Sequence, residues 1–414
     1  MSSLVQTRRS GFWGLAALQF LISFADWMLL VLLQIIIFDL THSAFNIMLL
    51  VVCELIPMLV LGAWAGAITD RANLRKTLVW ALVMRLLITM ALLFAALRQE
   101  LIALFLVAAL GAACNRFFVP AASALLPSLV TAARLPAANS IVMAARMSGM
   151  AVGTLMAGVV TSHYGQDIAV LLIGALLLLA ACLCFLLPRT PSLKPEDATK
   201  QNLWVDLCLA LSRYGSSLVL PMSASILVML ALGSFEVLAL LYIVQVLARP
   251  SADVGILFAA YGTGMLAGLA MASWKRLMPR YPLWIGISLF LMCLAIWGLS
   301  RIFVLEQALP LVMLAGLAEG LVITLSLLRI YQQVAGEFYA RVIGLLDTGT
   351  GAAFLVSVML TGMIADRYPA GVLLSGLAWI LIGLFVLGLV LLPYWLKADV
   401  SLGSEAREAD EPTL

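Results

Sequence analysis

Four charged side chains sit near the middle of long apolar runs: Asp26, Arg116, Glu236 and Glu319. A carboxyl group there can take up and release a proton, because its affinity for one depends on burial and on neighbouring charge. An arginine there can hold a carboxylate through paired hydrogen bonds. At the centre of a lipid-facing helix each such charge costs at least about 2.5–3.5 kcal/mol, so all four are expected to face protein or water. Five more ionisable residues lie in such runs: Glu54, Asp347, Arg85, Arg146 and Arg329. Arg146 is expected to join the central group, with Glu54 pairing with it or with an outer polar group. Arg329 and Asp347 lie near the inner ends of their runs, where a structural pair is expected. Arg85 is expected to snorkel to the inner surface and receives no role.

The elements that position these residues follow from composition. The 414 residues are 64% hydrophobic and 11% charged, against roughly 45–50% and 25% in soluble domains. Apolar runs of about 20 residues recur along the chain, each long enough to cross a ~30 Å hydrocarbon core as a helix. Cutting at charges and turn residues gives twelve spans, near 12–37, 44–68, 77–97, 102–126, 137–161, 168–188, 218–247, 254–273, 283–303, 307–331, 341–363 and 370–395. With the N-terminus inside, sixteen Lys and Arg residues fall in inner segments and four, Arg98, Arg249, Arg301 and Arg367, in outer loops. That asymmetry predicts cytoplasmic termini. The paired arginines of "QTRRSGF" could suggest an export signal, but the run that follows is too long for one and contains Asp26, so an uncleaved first helix is expected.

The long polar stretch 189–217 divides the spans into six and six, and its second part places Leu203, Trp204, Leu207 and Leu211 at the spacing of an interfacial helix. This predicts an N-terminal bundle over 1–188, a cytoplasmic linker, a C-terminal bundle over 218–396 and an acidic, unstructured tail over 397–414. A weak internal repeat crosses the linker. Gly62 and Gly66 parallel Gly264 and Gly268, and "AGVVTSHYG" (157–165) parallels "TGMIADRYP" (361–369). Two repeated halves around a shared pathway are a transporter architecture, although glycines four apart also serve plain helix packing.

Between the second and third spans, "GAITDRANLRK" (66–76) places Asp70 beside Arg71, Arg75 and Lys76. Asp70 could anchor this inner corner to a helix terminus or a base, or the bases could be topology signals alone. The stretch resembles the signature loop of the major facilitator superfamily, G-x-x-x-D-R-x-G-R-K-x. Gly66, Asp70, Arg71 and Arg75 match, Asn73 stands for the turn glycine, Leu74 for one base, and Lys76 adds a base one place later. Asn tolerates a left-handed turn, so the corner can survive. The segments 117–160, 254–268 and 332–348 resemble the branch of that family holding siderophore and macrolide exporters.

The resemblance implies an all-α integral membrane protein of twelve transmembrane helices, built as two pseudo-symmetric six-helix bundles. It also implies a central cavity faced by helices one, four, seven and ten, which carry Asp26, Arg116, Glu236 and Glu319. One departure stands out: the fifth-helix antiporter motif G-P-x-x-x-G reads Gly153 to Gly158 with Thr154 in place of the proline.

The expected function is proton-coupled export of a small amphipathic metabolite, siderophore-like before drug-like. Asp26 or Glu236 would carry the proton, Arg116 would be its partner or a substrate anchor, and Glu319 a second polar contact. Multidrug or macrolide efflux, a lysophospholipid flippase and a proton-coupled importer are the rivals. His42 and His163 lie at outer loops, and the chain has neither an H-E-x-x-H nor a Walker motif, so no enzyme, metal or cofactor is expected. The six cysteines lack ligand spacing. The expected partners are the small-molecule substrate, protons and membrane lipid, without nucleic acid. The expected setting is a monomer in a bacterial cytoplasmic membrane.

Overall fold

A computed structural model describes the backbone of residues 2–71, 73–98, 100–131, 134–185, 187, 203–274, 277–334 and 336–409; within these, the side chains of 2–10, 58–59, 62–71, 93–98, 136, 203–217, 336–341 and 391–409 lie outside the description. The long elements are twelve helices: α1 (Ser2–Thr41), α2 (Ala44–Arg71), α3 (Leu74–Arg98), α4 (Leu101–Leu129), α5 (Leu135–Tyr164), α6 (Gln166–Cys184), α7 (Leu203–Leu241), α8 (Val254–Ala272), α9 (Tyr281–Leu299), α10 (Leu305–Gln333), α11 (Gly336–Ala365) and α12 (Ala370–Ala409). They coincide with the twelve spans read from the sequence, and ten are long and apolar enough over described residues to cross a membrane. Helices are the expected solution, since each satisfies its own backbone polar groups inside hydrocarbon.

Helix starts follow from local chemistry. Asn73 was expected to take a left-handed turn. Instead, the residues outside glycine with positive φ among those described are His42 and Ala248, and the Asn73 side chain accepts from the Lys76 backbone N–H at 3.1 Å. It therefore caps α3, satisfying one of the N–H groups a helix start leaves open. α1 and α12 run further than expected, α1 from Ser2 rather than near residue 12, while the helix expected over 203–211 is present. The second part of the 189–217 stretch is helical from Leu203 and continues unbroken into α7, while residues 188–202 lie outside the described set. The tail expected to be unstructured beyond Lys397 is helical to Ala409, as a segment rich in Ala, Glu and Arg can be.

Helix pairings repeat between the halves. α1 packs along α5, α2 along α4, and α3 along both α4 and α6, while α9 packs along α10 and α12. In the first half Gly149 and Gly153 bring α5 against the α1 backbone at Phe20 and Phe24, where an added methyl would overlap. In the second half Gly233 brings α7 equally close to Phe354 of α11, and Ser234 and Ser357 share a buried hydrogen bond of 2.7 Å beside it. The glycines singled out at 264 and 268 serve the same end, pressing α8 against α10 at Met313 and Leu317.

Contacts divide the chain into two compact units: Met1–Ala198 with Val237–Thr263 and Thr361–Arg367, and Thr199–Glu236 with Gly264–Leu360 and Tyr368–Leu414. The second unit has an apolar core between α7, α9, α10 and α12 around Val228, Ile285, Val322 and Leu381. Its α9 and α10 faces bring the buried Glu319 and the Arg329 end of α10 beside the same core.

Candidate functional site

In the first unit a polar cluster sits between α1, α3 and α4. Asp26 on α1 forms an ion pair with Arg85 on α3 and accepts from Asn115 Nδ2 on α4 at 3.3 Å. Arg85 is 5% exposed and Asp26 22%, so the pair is largely withdrawn from solvent. The expectation that Arg85 snorkels to the surface is thus corrected. It lies eleven residues beyond Leu74, the first residue of α3, or roughly 16 Å along the helix axis, which is too deep for an arginine to reach water at that end.

Arg116 was expected to partner Asp26, but the short contacts of Asp26 go to its neighbours in space, Arg85 and Asn115. Arg116 is half-buried and lies within electrostatic reach of Arg146, Asp26 and Glu54. Its buried Nε has no hydrogen-bond partner among the described residues, and neither has Arg85 Nη1 or Asn115 Oδ1. Arg146, on α5, is exposed. The cluster therefore gathers three arginines, Arg85, Arg116 and Arg146, and two carboxyl groups, Asp26 and Glu54, with one acid already engaged by one base.

The second unit has the opposite character. Glu236 on α7 and Glu319 on α10 are 6% and 2% exposed, and their charges act on one another. Arg329 and Asp347 are not brought together as expected: the Arg329 guanidinium stacks over the Tyr281 ring at 4.7 Å, and Asp347 on α11 is exposed. The cation–π contact gives Arg329 a structural role at the α9–α10 seam.

The inner-loop residues divide. Gly66, Asp70 and Arg71 lie in the last turns of α2 with side chains outside the described set. Arg75 donates to the Phe185 carbonyl at 2.7 Å and lies over that ring, so it ties the start of α3 to the end of α6. Lys76 is exposed. Thr154, standing where the antiporter motif has proline, is buried and donates to Ala151 O at 3.1 Å.

Aromatic residues on these helices mostly pack rather than line open space. Phe118, Phe235, Tyr242 and Tyr261 are buried, whereas Phe20, Trp27 and Phe117 are half-buried. Among the described residues no group of His, Cys, Asp and Glu is arranged to hold a metal. Sequence reading missed Arg85, Asn115 and Asp366, the last of which joins the end of α11 to the start of α2.

Comparison with known proteins places this geometry in context. The family model for the Major Facilitator Superfamily matches residues 15–305. An uncharacterised transporter of that type from Bacillus subtilis strain 168, YfiS, is 23% identical over 391 residues, spanning 92% of this chain and 93% of its own. Among solved structures, a bacterial homologue of the human lysosomal transporter Spinster, in an inward-facing and unoccupied conformation, superimposes with a TM-score of 0.72 at 15% identity over 96% of this chain and 98% of its own. The nucleoside transporter NupG superimposes with a TM-score of 0.67 at 16% identity, over 92% of this chain and 98% of its own.

Proposed function

The chain belongs to the major facilitator superfamily of membrane transporters, and from that premise we propose that it exports a small amphipathic anion in exchange for protons, by alternating access in a bacterial cytoplasmic membrane with both termini in the cytoplasm. The observation that carries this reading is the division of charge. In the first unit Asp26 is engaged by Arg85, which leaves Arg116 and Arg146 facing the single remaining acid Glu54. That is a surplus of one positive charge, suited to an anionic group.

In the second unit Glu236 and Glu319 form the proton-carrying pair. Asp26 is engaged by an arginine and an amide, whereas two buried carboxyl groups within electrostatic reach of one another are suited to gain or lose a proton when access or occupancy changes. Asp26, the other candidate carrier, has a positioning role in this reading.

A carboxylate-bearing metabolite of the siderophore kind fits the arginine surplus better than a cationic drug does. The test is proton release from acidified inside-out vesicles on adding carboxylate and catecholate siderophores, macrolides and nucleosides. Release by a carboxylate compound, lost in Arg116→Gln, is the expected result. Release only by macrolides or nucleosides, unaffected by Arg116→Gln, would remove the anionic reading. Gradient-independent lipid movement without proton release would replace export by lipid flipping.

A further inference from the structure

Within the first unit, the end of α11 is fixed to the first turn of α2 by one carboxylate. Ser43 Oγ donates to Asp366 Oδ2 at 2.6 Å, the Ala44 N–H to Oδ1 at 2.6 Å, and the Phe45 N–H to Oδ2 at 3.3 Å. Backbone N–H groups at a helix start have no acceptor inside the helix, and their aligned dipoles favour a negative charge there. Most helices take that acceptor from their own N-cap side chain. Here it comes from a residue 322 positions away, and the local Ser43 hydroxyl donates to the same carboxylate.

The packing behind the carboxylate is equally close. One turn back along α11, Gly362 lies against Met48 of α2, where an added methyl would overlap the methionine side chain. Met48 is 3% exposed. Only the last residues of α11 from Thr361, with the following Asp366 and Arg367, belong to the first unit; the rest of α11 belongs to the second. The α5 end, which the internal repeat matches to the α11 end, is also drawn close by glycines: Gly158 meets the Ala252 carbonyl, and Gly255 meets the Thr154 carbonyl. The α5 end closes by packing. The α11 end adds three hydrogen bonds to a charged group.

We propose that Asp366 is a latch holding shut the face formed by the α1–α2, α5–α6, α7–α8 and α11–α12 connections, and that release of the first turn of α2 from Asp366 is a step in opening that face. The proposal rests on alternating access, and on neither the substrate nor the coupling ion. A carboxylate suits such a latch because its bonds to the helix are short, directional and broken together when the α11 end moves away. Of the three donors, two are backbone groups, so the latch depends on side-chain identity mainly at Asp366, with Ser43 contributing one bond.

The test uses the full-length transporter in right-side-out vesicles, in a Cys53→Ser background carrying Met48→Cys. The rate at which a membrane-impermeant maleimide labels position 48 is read on the peptide containing it. Asp366→Ala is expected to raise the rate about tenfold and Asp366→Asn, which keeps the size but not the charge, by a smaller factor. Ser43→Ala is expected to have the least effect. Hydrogen exchange at the Ala44 and Phe45 amides is measured in parallel. Faster exchange at those amides with unchanged labelling of position 48 would show that Asp366 only stabilises the start of α2, and would overturn the latch. If Asp366→Ala does not accumulate, Asp366→Asn decides by the same two readouts. Neither needs substrate or a proton gradient, so failure of the export reading would leave this result standing.

Discussion

The two polar centres of this protein solve the same problem in opposite ways. In the first unit a buried acid meets a base: Asp26 is paired with Arg85 and steadied by Asn115. In the second, two acids, Glu236 and Glu319, are both buried and lie within electrostatic reach of one another. A buried ion pair holds its charges fixed, because removing either partner leaves the other uncompensated in a low dielectric. The two buried acids are proposed to take up and release a proton instead. The difference teaches that a charge inside a transporter is informative mainly through its partner. Asp26 and Glu319 look alike in sequence and differ in what stands beside them, which is why different work is proposed for them.

The comparison can be broken most forcefully at Arg85. Replacing it with Met strands the Asp26 carboxylate and is expected to destabilise the protein by about 3–5 kcal/mol, seen as a large drop in the thermal midpoint in detergent. The double variant Asp26→Asn, Arg85→Met is expected to recover much of that loss, and no recovery would mean that the two are not a functional pair. Next in size, Glu319→Gln is expected to abolish proton-driven transport while leaving folding intact, because the amide keeps the size of the side chain and removes only its ability to ionise. Substrate exchange without a gradient should survive in this variant.

A sharper distinction comes from Arg116→Gln. Its Nε lacks a partner among the described residues, so its loss should cost little stability. It should weaken binding of an anionic substrate by tenfold or more, about 1.4 kcal/mol or more, and spare a neutral ester of the same compound. Smallest is Tyr281→Leu. It removes the ring under Arg329 and is expected to cost about 0.5–2 kcal/mol, read as a modest fall in the thermal midpoint with transport retained.

Much of the fold was legible because a membrane span has few alternatives. Length, hydropathy and charge asymmetry placed all twelve helices, and turn residues fixed the ends of most of them to within a few positions, as with α8 at Val254–Ala272, but not the start of α1 or α7 or the end of α12. The ionisable residues of the clusters were legible for the same reason, since a charge in an apolar run announces itself. Their pairing was not. Arg85 and Asp26 lie 59 positions apart, and nothing local specifies which helix faces which.

The depth of Arg85 within its span was a usable signal, because an arginine so far from either end must find a partner. Asn115 gave a weaker one, being an uncharged amide next to the more conspicuous Arg116. Asp366 looked like an ordinary loop residue, and its contact with α2 depends on tertiary packing that the sequence does not display. Asn73 shows the same limit locally: its type allowed both a left-handed turn and a helix cap, and the cap is what the chain adopts.

The most direct test of the account is substrate-triggered proton release from acidified inside-out vesicles, comparing Glu319→Gln with the double variant Asp26→Asn, Arg85→Gln. The account expects no release from Glu319→Gln, although substrate still binds, and continued release from the double variant. Release that persists in Glu319→Gln and disappears in the double variant would contradict it, and would assign the proton to Asp26.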